Sequence, residues 1–373
     1  MPTRGRSVPQ AAPLASYRAV RARIDRAVAR VLAGGSYILG PEVEAFEREF
    51  AGYVGCRHAV GVASGTDALT LALRALQLPT GATVATAAHT AVATVAAIEL
   101  AGLKPLLLDI DPASYTLAPA ALERALAGGR RIAAVIVVHL YGQAADLEAL
   151  LPLARRCGAK LIEDCAQCHG AALDGRRLGG FGDAACFSFY PTKNLGAFGD
   201  AGAVLTDDDN LATRLRELRE YGWRDRYVSA LPGMNTRLDP LQAAVLRVKL
   251  TGLDRANARR NTIAARYDRG LARTGLGLPQ RRPGATHVFH QYVLRSAARD
   301  RLRAALGRAG IGTAVHYPVP IHLQPAYRER LALDPGGLGE SERAAREILS
   351  LPMFPELAAA DVARVIAAVK ASL

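Results

Sequence analysis

Between residues 58 and 206 the chain repeats one pattern: a short apolar run, then a longer stretch in which apolar positions recur at helical spacing. The runs at 59–63, 83–87, 105–109, 133–139, 160–163, 185–189 and 203–206 are each bounded by Gly, Pro or Asp and read as strands. The stretches at 67–76, 91–100, 119–126 and 147–156 read as amphipathic helices between them. Strand and helix in alternation predict an α/β fold with a mostly parallel central sheet and helices on both faces. Ligands of such sheets gather at the carboxyl ends of the strands, so the residues that follow each strand become the candidates for chemistry. Beyond residue 206 the pattern lengthens into helices at 209–221 and 239–250, and a turn-rich stretch at 279–284 precedes a short strand at 290–294. These shifts divide the chain into an N-terminal arm and helix (1–33), a large domain (34–250) and a smaller α+β domain (251–373). Residues 1–13, rich in Pro and Arg, are expected to be loosely ordered.

Composition narrows the classes of partner. The chain has 373 residues, half of them hydrophobic, enough for a sizeable core without covalent staples. Lys and Arg number 47 against 34 Asp and Glu, a net charge of +13 that suits nucleic acid, a membrane surface or an anionic small substrate. Arginine is scattered instead of blocked, and eight Phe and one Trp leave little aromatic surface for stacking bases, which argues against nucleic acid. No apolar stretch reaches the ~18 residues of a membrane span, and no signal-peptide pattern opens the chain, so a cytoplasmic protein without a membrane partner is expected. Its five cysteines then read as reduced thiols. The run Cys165-Ala166-Gln167-Cys168-His169 matches a haem-attachment pattern, but it starts where an apolar strand ends and has no second ligand pair, so core packing is preferred to haem or zinc.

Three strand ends carry candidate chemistry. After the first strand comes Ser64-Gly65-Thr66, where a glycine admits close backbone approach and the amides of a starting helix favour a phosphate; taken alone, the tripeptide reads better as an ordinary turn capped by Ser64 or Thr66. The fifth strand ends in Glu163-Asp164, followed by Ala166 and Gln167. A carboxylate there can keep a pyridine nitrogen protonated, or merely cap the next turn. The sixth strand leads to Ser188 and, five residues later, to Lys193 in a glycine-rich stretch. Most lysines are exposed, but one that forms a Schiff base needs a short tether and partial desolvation. An acid, an amine and two phosphate anchors together suit a phosphorylated aldehyde cofactor.

Residues 62–69, 162–170, 186–202 and 233–246 resemble the DegT/DnrJ family of pyridoxal-phosphate-dependent sugar aminotransferases, and the similarity extends from about residue 34 to 355. The resemblance implies the fold-type I aminotransferase architecture and a homodimer with active sites at the subunit interface. It implies that Lys193 carries the pyridoxal 5′-phosphate and that Asp164 partners the ring nitrogen. Gly65, Thr66 and Ser188 become phosphate contacts, Ala166 and Gln167 line the cofactor, and Asn235 reaches the cofactor phosphate of the neighbouring subunit. On the substrate side it points to Tyr190, His316, Tyr317 and His322. Two departures stand out: Ala91 occupies the position where the family commonly stacks an aromatic on the cofactor ring, leaving His89 to take over, and Ala201 stands where glycine is more usual. Gln242 falls at the capping-box position of a helix opened by Asp239 and Pro240, and needs no catalytic role. The implied reaction moves an amino group from a donor such as glutamate to a nucleotide-linked (dTDP or UDP) keto-deoxyhexose, with a 3-keto acceptor preferred. A 4-keto sugar or keto-cyclitol acceptor, a dehydratase and a non-catalytic regulatory homologue are the competing readings.

Overall fold

A computed structural model describes residues 7–373. Seven strands form most of its central sheet: β1 (His58–Val62), β2 (Thr83–Ala87), β3 (Lys104–Leu108), β4 (Ala134–Val138), β5 (Lys160–Asp164), β6 (Ala184–Ser188) and β7 (Gly202–Thr206). Their order is β1-β7-β6-β5-β4-β2-β3, with the two-residue strand Ala332–Leu333 added parallel to β3 at the edge. All five residues of β4, Ala-Val-Ile-Val-Val, are buried, the unbroken apolar run of a strand covered on both faces. The helices that position the site are α1 (Pro13–Gly34), α2 (Pro41–Val54), α3 (Gly65–Ala75), α4 (Val92–Leu100), α5 (Pro119–Ala127), α6 (Leu147–Arg156), α7 (Asp209–Leu218), α8 (Pro240–Leu250) and α9 (Leu253–Leu271).

Strand β7 departs from the parallel expectation: it pairs antiparallel with both β6 and β1. Residues 189–201 contain no crossover helix, and a strand that returns without one pairs antiparallel. The reversal sets Gly202 at the start of β7 opposite both Ser188 and Val62, so three strand ends meet at one point. Helix α7 stops at Leu218, short of Tyr221, because Tyr221 (φ 59°) and Gly222 (φ 76°) turn left-handed there. Residues 7–12 are firmly attached, contrary to the loose order expected of 1–13: Val8 is buried, its amide donates to Gly310 and its carbonyl accepts from Gly312. Residues 1–6 lie outside the described part. Val8 joins a second core built on α9, Tyr292–Arg295, Ile348–Leu351 and the last helix, Ala359–Ala371, separate from the main core around the sheet.

Glu163 ties the sheet to the turn that enters β6. Its Oε1 accepts the amides of Phe181 (2.7 Å) and Gly182 (2.9 Å); its Oε2 accepts that of Gly179 (2.9 Å) and pairs with His139 Nε2 at 3.0 Å. His139 Nδ1 accepts the Ala145 amide at 3.1 Å, so Nε2 carries the proton toward the carboxylate. Cys165 lies close to this pair, but backbone amides and the imidazole already occupy the Glu163 oxygens, and Cys165, Cys168 and His169 are all buried. Burial alone would raise the Glu163 carboxyl; the His139 bond and the amides of Gly182 and Gly179 outweigh it and hold the pKa below the ordinary value. A carboxylate depressed in this way contributes stability above its unfolded pKa, about 4.3, and loses it as pH falls. Glu163→Ala is therefore expected to cost on the order of 3–5 kcal/mol in urea unfolding at neutral pH, with the deficit against the parent narrowing below about pH 4.

Candidate active site

The meeting of β1, β6 and β7 shapes a small cup. Ser64 is the N-cap of α3: its Oγ accepts the Asp67 amide at 3.1 Å and donates to Asp67 Oδ2 at 2.8 Å. The cap therefore falls to Ser64, leaving Gly65 and Thr66 at the first two helical positions, whose amides precede the helix's own hydrogen-bond ladder. A Cβ on Gly65 would lie 2.5 Å from Ser188 Cβ, and one on Gly202 would lie 2.3 Å from the Ser64 carbonyl oxygen. Two glycines thus let three backbone segments close around a space faced by helix-start amides and the Ser188 hydroxyl, the arrangement that receives a phosphate.

Lys193 sits on the wound return between β6 and β7. Its amide donates to Tyr190 O at 2.8 Å, Ala197 N–H to Phe189 O at 2.7 Å and Phe189 N–H to Ala201 O at 2.8 Å. Ala201 accommodates its Cβ without a left-handed backbone. Asn194 is held by Asn257 Oδ1 (2.8 Å) and the Val288 carbonyl (3.0 Å). Gln242 does not complete a capping box: Asp239 makes no side-chain cap, and Gln242 Oε1 instead accepts the Phe198 amide at 2.8 Å, bracing the lysine loop. Burial drives the Lys193 pKa down to about 8, with Asp164 pulling the other way. Asp164 is 5% exposed, and burial raises its pKa; the Ala166 amide (3.1 Å to Oδ1), Lys193 and the Thr94 hydroxyl (3.2 Å to Oδ2) oppose that rise. Lysine and carboxylate are thus electrostatic neighbours, each partly desolvated.

A lattice of polar side chains frames this pair. Gln167 Oε1 accepts the Tyr141 amide at 2.7 Å and its Nε2 donates to Tyr317 Oη at 3.2 Å. Tyr141 donates its hydroxyl to the His316 carbonyl and lies 2.8 Å from His89 Nε2. His89 is almost enclosed, edge-on to Tyr141, and burial lowers its pKa to about 4. His316 Nδ1 meets Ser350 Oγ at 2.9 Å, and burial together with the Lys193 charge lowers its pKa to about 4. Tyr317 is pushed up to about 12, first by burial and then by Asp164. Lys193, Asp164, Ala166, Gln167, His316 and Tyr317 therefore converge, and Tyr190 stands at the rim, 52% exposed. His322 is different: it pairs with Glu342 at 3.1 Å and packs with Ile321 beside Ala88, Val95 and Leu107, with no hydrogen bond to the Lys193 group. Asn235 is exposed and bridges to Glu220, outside this lattice.

The description of the DegT/DnrJ/EryC1/StrS aminotransferase family matches residues 19–370. The chain belongs to that family. It is 48% identical over 357 residues to the dTDP-3-amino-3,4,6-trideoxy-alpha-D-glucose transaminase of Streptomyces venezuelae, covering 95% of this chain and 93% of that one. It is 42% identical to the UDP-2-acetamido-2-deoxy-3-oxo-D-glucuronate aminotransferase of Pseudomonas aeruginosa, covering 94% and 96%. The crystal structure of S. venezuelae DesV in complex with a ketimine intermediate superposes with a TM-score of 0.94 at 48% identity, covering 98% of each chain.

DegT/DnrJ/EryC1/StrS aminotransferases depend on pyridoxal phosphate, and the residues described here fit it: a cup without room for a Cβ at Gly65, and an amine of lowered pKa beside a buried carboxylate. Two contributors escaped the sequence reading. Thr94, which holds Asp164, is an ordinary helix-face threonine with no local signal. Tyr141 follows β4, where the strand-end rule applies, and its φ of 60° marks a tight turn that only the backbone reveals. Gly65→Ala is expected to weaken pyridoxal phosphate binding at least about tenfold while leaving the fold intact, read by equilibrium titration alongside thermal unfolding.

Proposed function

We propose that this chain transfers an amino group from glutamate to carbon 3 of a nucleotide-linked keto-deoxyhexose, with pyridoxal phosphate held on Lys193. The observation that carries the reading is the buried Lys193–Asp164 pair, each acting on the other's charge, at strand ends that also deliver Ser188. When bound, the cofactor supplies an aldehyde carbon and a cationic ring that takes up the electron pair left by C–H cleavage. The Gly65 and Thr66 amides and Ser188 bind the phosphate, and Asn235, exposed on its own subunit, reaches the phosphate of a partner site in a homodimer. Asp164, steadied by Thr94 and Ala166, would face the ring nitrogen and hold its proton. Lys193, released when the donor amine arrives, takes the proton from the donor α-carbon and returns one on the sugar side. Gln167 fixes Tyr141 and Tyr317 along the cofactor's flank, His89 stands behind Tyr141 beside the ring, and Tyr190, His316 and Tyr317 serve the sugar nucleotide, whereas His322, paired with Glu342 away from this group, has no part in it.

The 3-position rests on the two relatives, whose names both place the amino or oxo group there. Those names differ in nucleotide, dTDP in one and UDP in the other, so the sugar ring is the shared element. Five unpaired cysteines and the lack, among the described residues, of a helix long and apolar enough to cross a membrane support a cytoplasmic site of action.

Two experiments follow. With glutamate as donor, a dTDP-linked 3-keto-6-deoxyhexose should yield 2-oxoglutarate at least about tenfold faster than the 4-keto isomer; the reverse order would move the reaction to carbon 4. The second concerns the lysine itself. Its folded pKa is lowered, so the amine is neutral above about 8 instead of above the ordinary 10.5. The rate at which the cofactor-free chain captures pyridoxal phosphate should rise with pH and level off above about 8. Asp164→Asn removes a charge that holds the proton on, and should shift the levelling to lower pH.

A further inference from the structure

A cavity of about 410 Å³ lies between α1, the α8–α9 junction and residues 353–356, and shares the turn 191–194 with the lysine loop. Neither Asp164 nor any residue of the phosphate cup lines it. Its walls are apolar where Val20, Val248, Leu253 and Phe354 meet. Apart from Lys193, the cations in its lining are Arg23, Lys249, Arg255, Arg259 and Arg260, and among the described lining residues Glu356 is the one acid.

The contrast with the rest of the molecule gives this lining its meaning. Several half-buried arginines elsewhere find carboxylates: Arg247 meets Glu42 at 2.7 Å and Glu49 at 2.6 Å, and Arg295 meets Glu340 and Glu347 at 2.7 Å each. Among the described residues no ion pair reaches Lys249, Arg255, Arg259 or Arg260. Arg260 is 4% exposed; its Nη1 donates to the carbonyls of Phe289 (3.1 Å) and Met353 (3.0 Å), and its Nε is buried with no partner. Lys249 donates Nζ to the Gly196 carbonyl and lies 5.0 Å from the centre of the Phe198 ring, and burial drives its pKa down to about 8. Arg259 donates to the carbonyls of Pro355 and Leu357, and Arg255 is exposed at the cavity's edge. Glu356 is the carboxylate whose charge acts on the buried Lys249 and Arg260, so the lining keeps an excess of cations over acids that an anion entering the cavity would offset.

We propose that this cavity binds a small organic anion, a phosphate or carboxylate on an apolar body, with its charge among Lys249, Arg255, Arg259 and Arg260 and its body against Val248, Leu253 and Phe354. The site shares the turn 191–194 with the lysine loop but takes no residue from the phosphate cup, and it stands whether or not the chain aminates a sugar. The test uses the full chain loaded with pyridoxal phosphate, so that the cup is filled, and phenyl phosphate as probe. Trace acetylation of Lys249, read by peptide mass spectrometry, should fall at least about fivefold at saturating phenyl phosphate, and inorganic phosphate should need an about tenfold higher concentration for the same protection. Unchanged acetylation overturns the site; equal potency of the two anions overturns the apolar contribution. Calorimetry on Lys249→Met and Arg255→Glu, each checked for a parental melting profile, should show phenyl phosphate binding weakened at least about tenfold, and parental affinity in both would also overturn the proposal.

Discussion

Two adjacent carboxyl groups at the end of β5 point to opposite sides of the strand, and the site depends on what each finds there. Glu163 meets three loop amides and His139, which fix it as a charged anchor for the turn into β6. Asp164 meets a threonine hydroxyl, one amide and the field of Lys193, in surroundings that raise its pKa. The first carboxylate is saturated by the protein; the second keeps capacity for a cationic partner. Because Glu163 secures the turn that delivers β6, it also sets where Ser188 and the lysine loop emerge.

The lysine loop completes that arrangement through topology. A return from β6 to β7 without a helix reverses β7 and brings Gly202 against Ser64 and Ser188, so the glycine cup and the amine belong to one tight piece of backbone. Gln242 from α8 and Asn257 from α9 brace it from outside. Lys193 is therefore positioned by its own return and by α8 and α9, and its lowered pKa is a product of burial.

Much of this was legible in the sequence because period and punctuation are local. The strands of the sheet fell within a residue or two of the apolar runs, and the residues after β1, β5 and β6 named the cup, the acid and the amine. What the sequence did not disclose was non-local. The direction of β7 depends on the absence of a helix in a stretch whose glycines suggested only a loop. Thr94 and Tyr141 act on Asp164 and His316 across the sheet, at separations no spacing rule reaches. Gln242 matched a capping box locally and was recruited instead by the Phe198 amide, a tertiary contact overriding a good local fit. Val8 attaches the N-terminal segment to a core formed by the far end of the chain.

The central claim is that Lys193 is the amine that would hold pyridoxal phosphate, give way to a donor's amine and then move the proton. It is tested most directly by the visible absorbance of the purified protein with pyridoxal phosphate, before and after glutamate, beside Lys193→Ala. The account predicts a yellow band of the lysine-bound cofactor that bleaches with glutamate and never forms in the variant. A band that persists in Lys193→Ala, or one that glutamate leaves untouched in the parent chain, would contradict it.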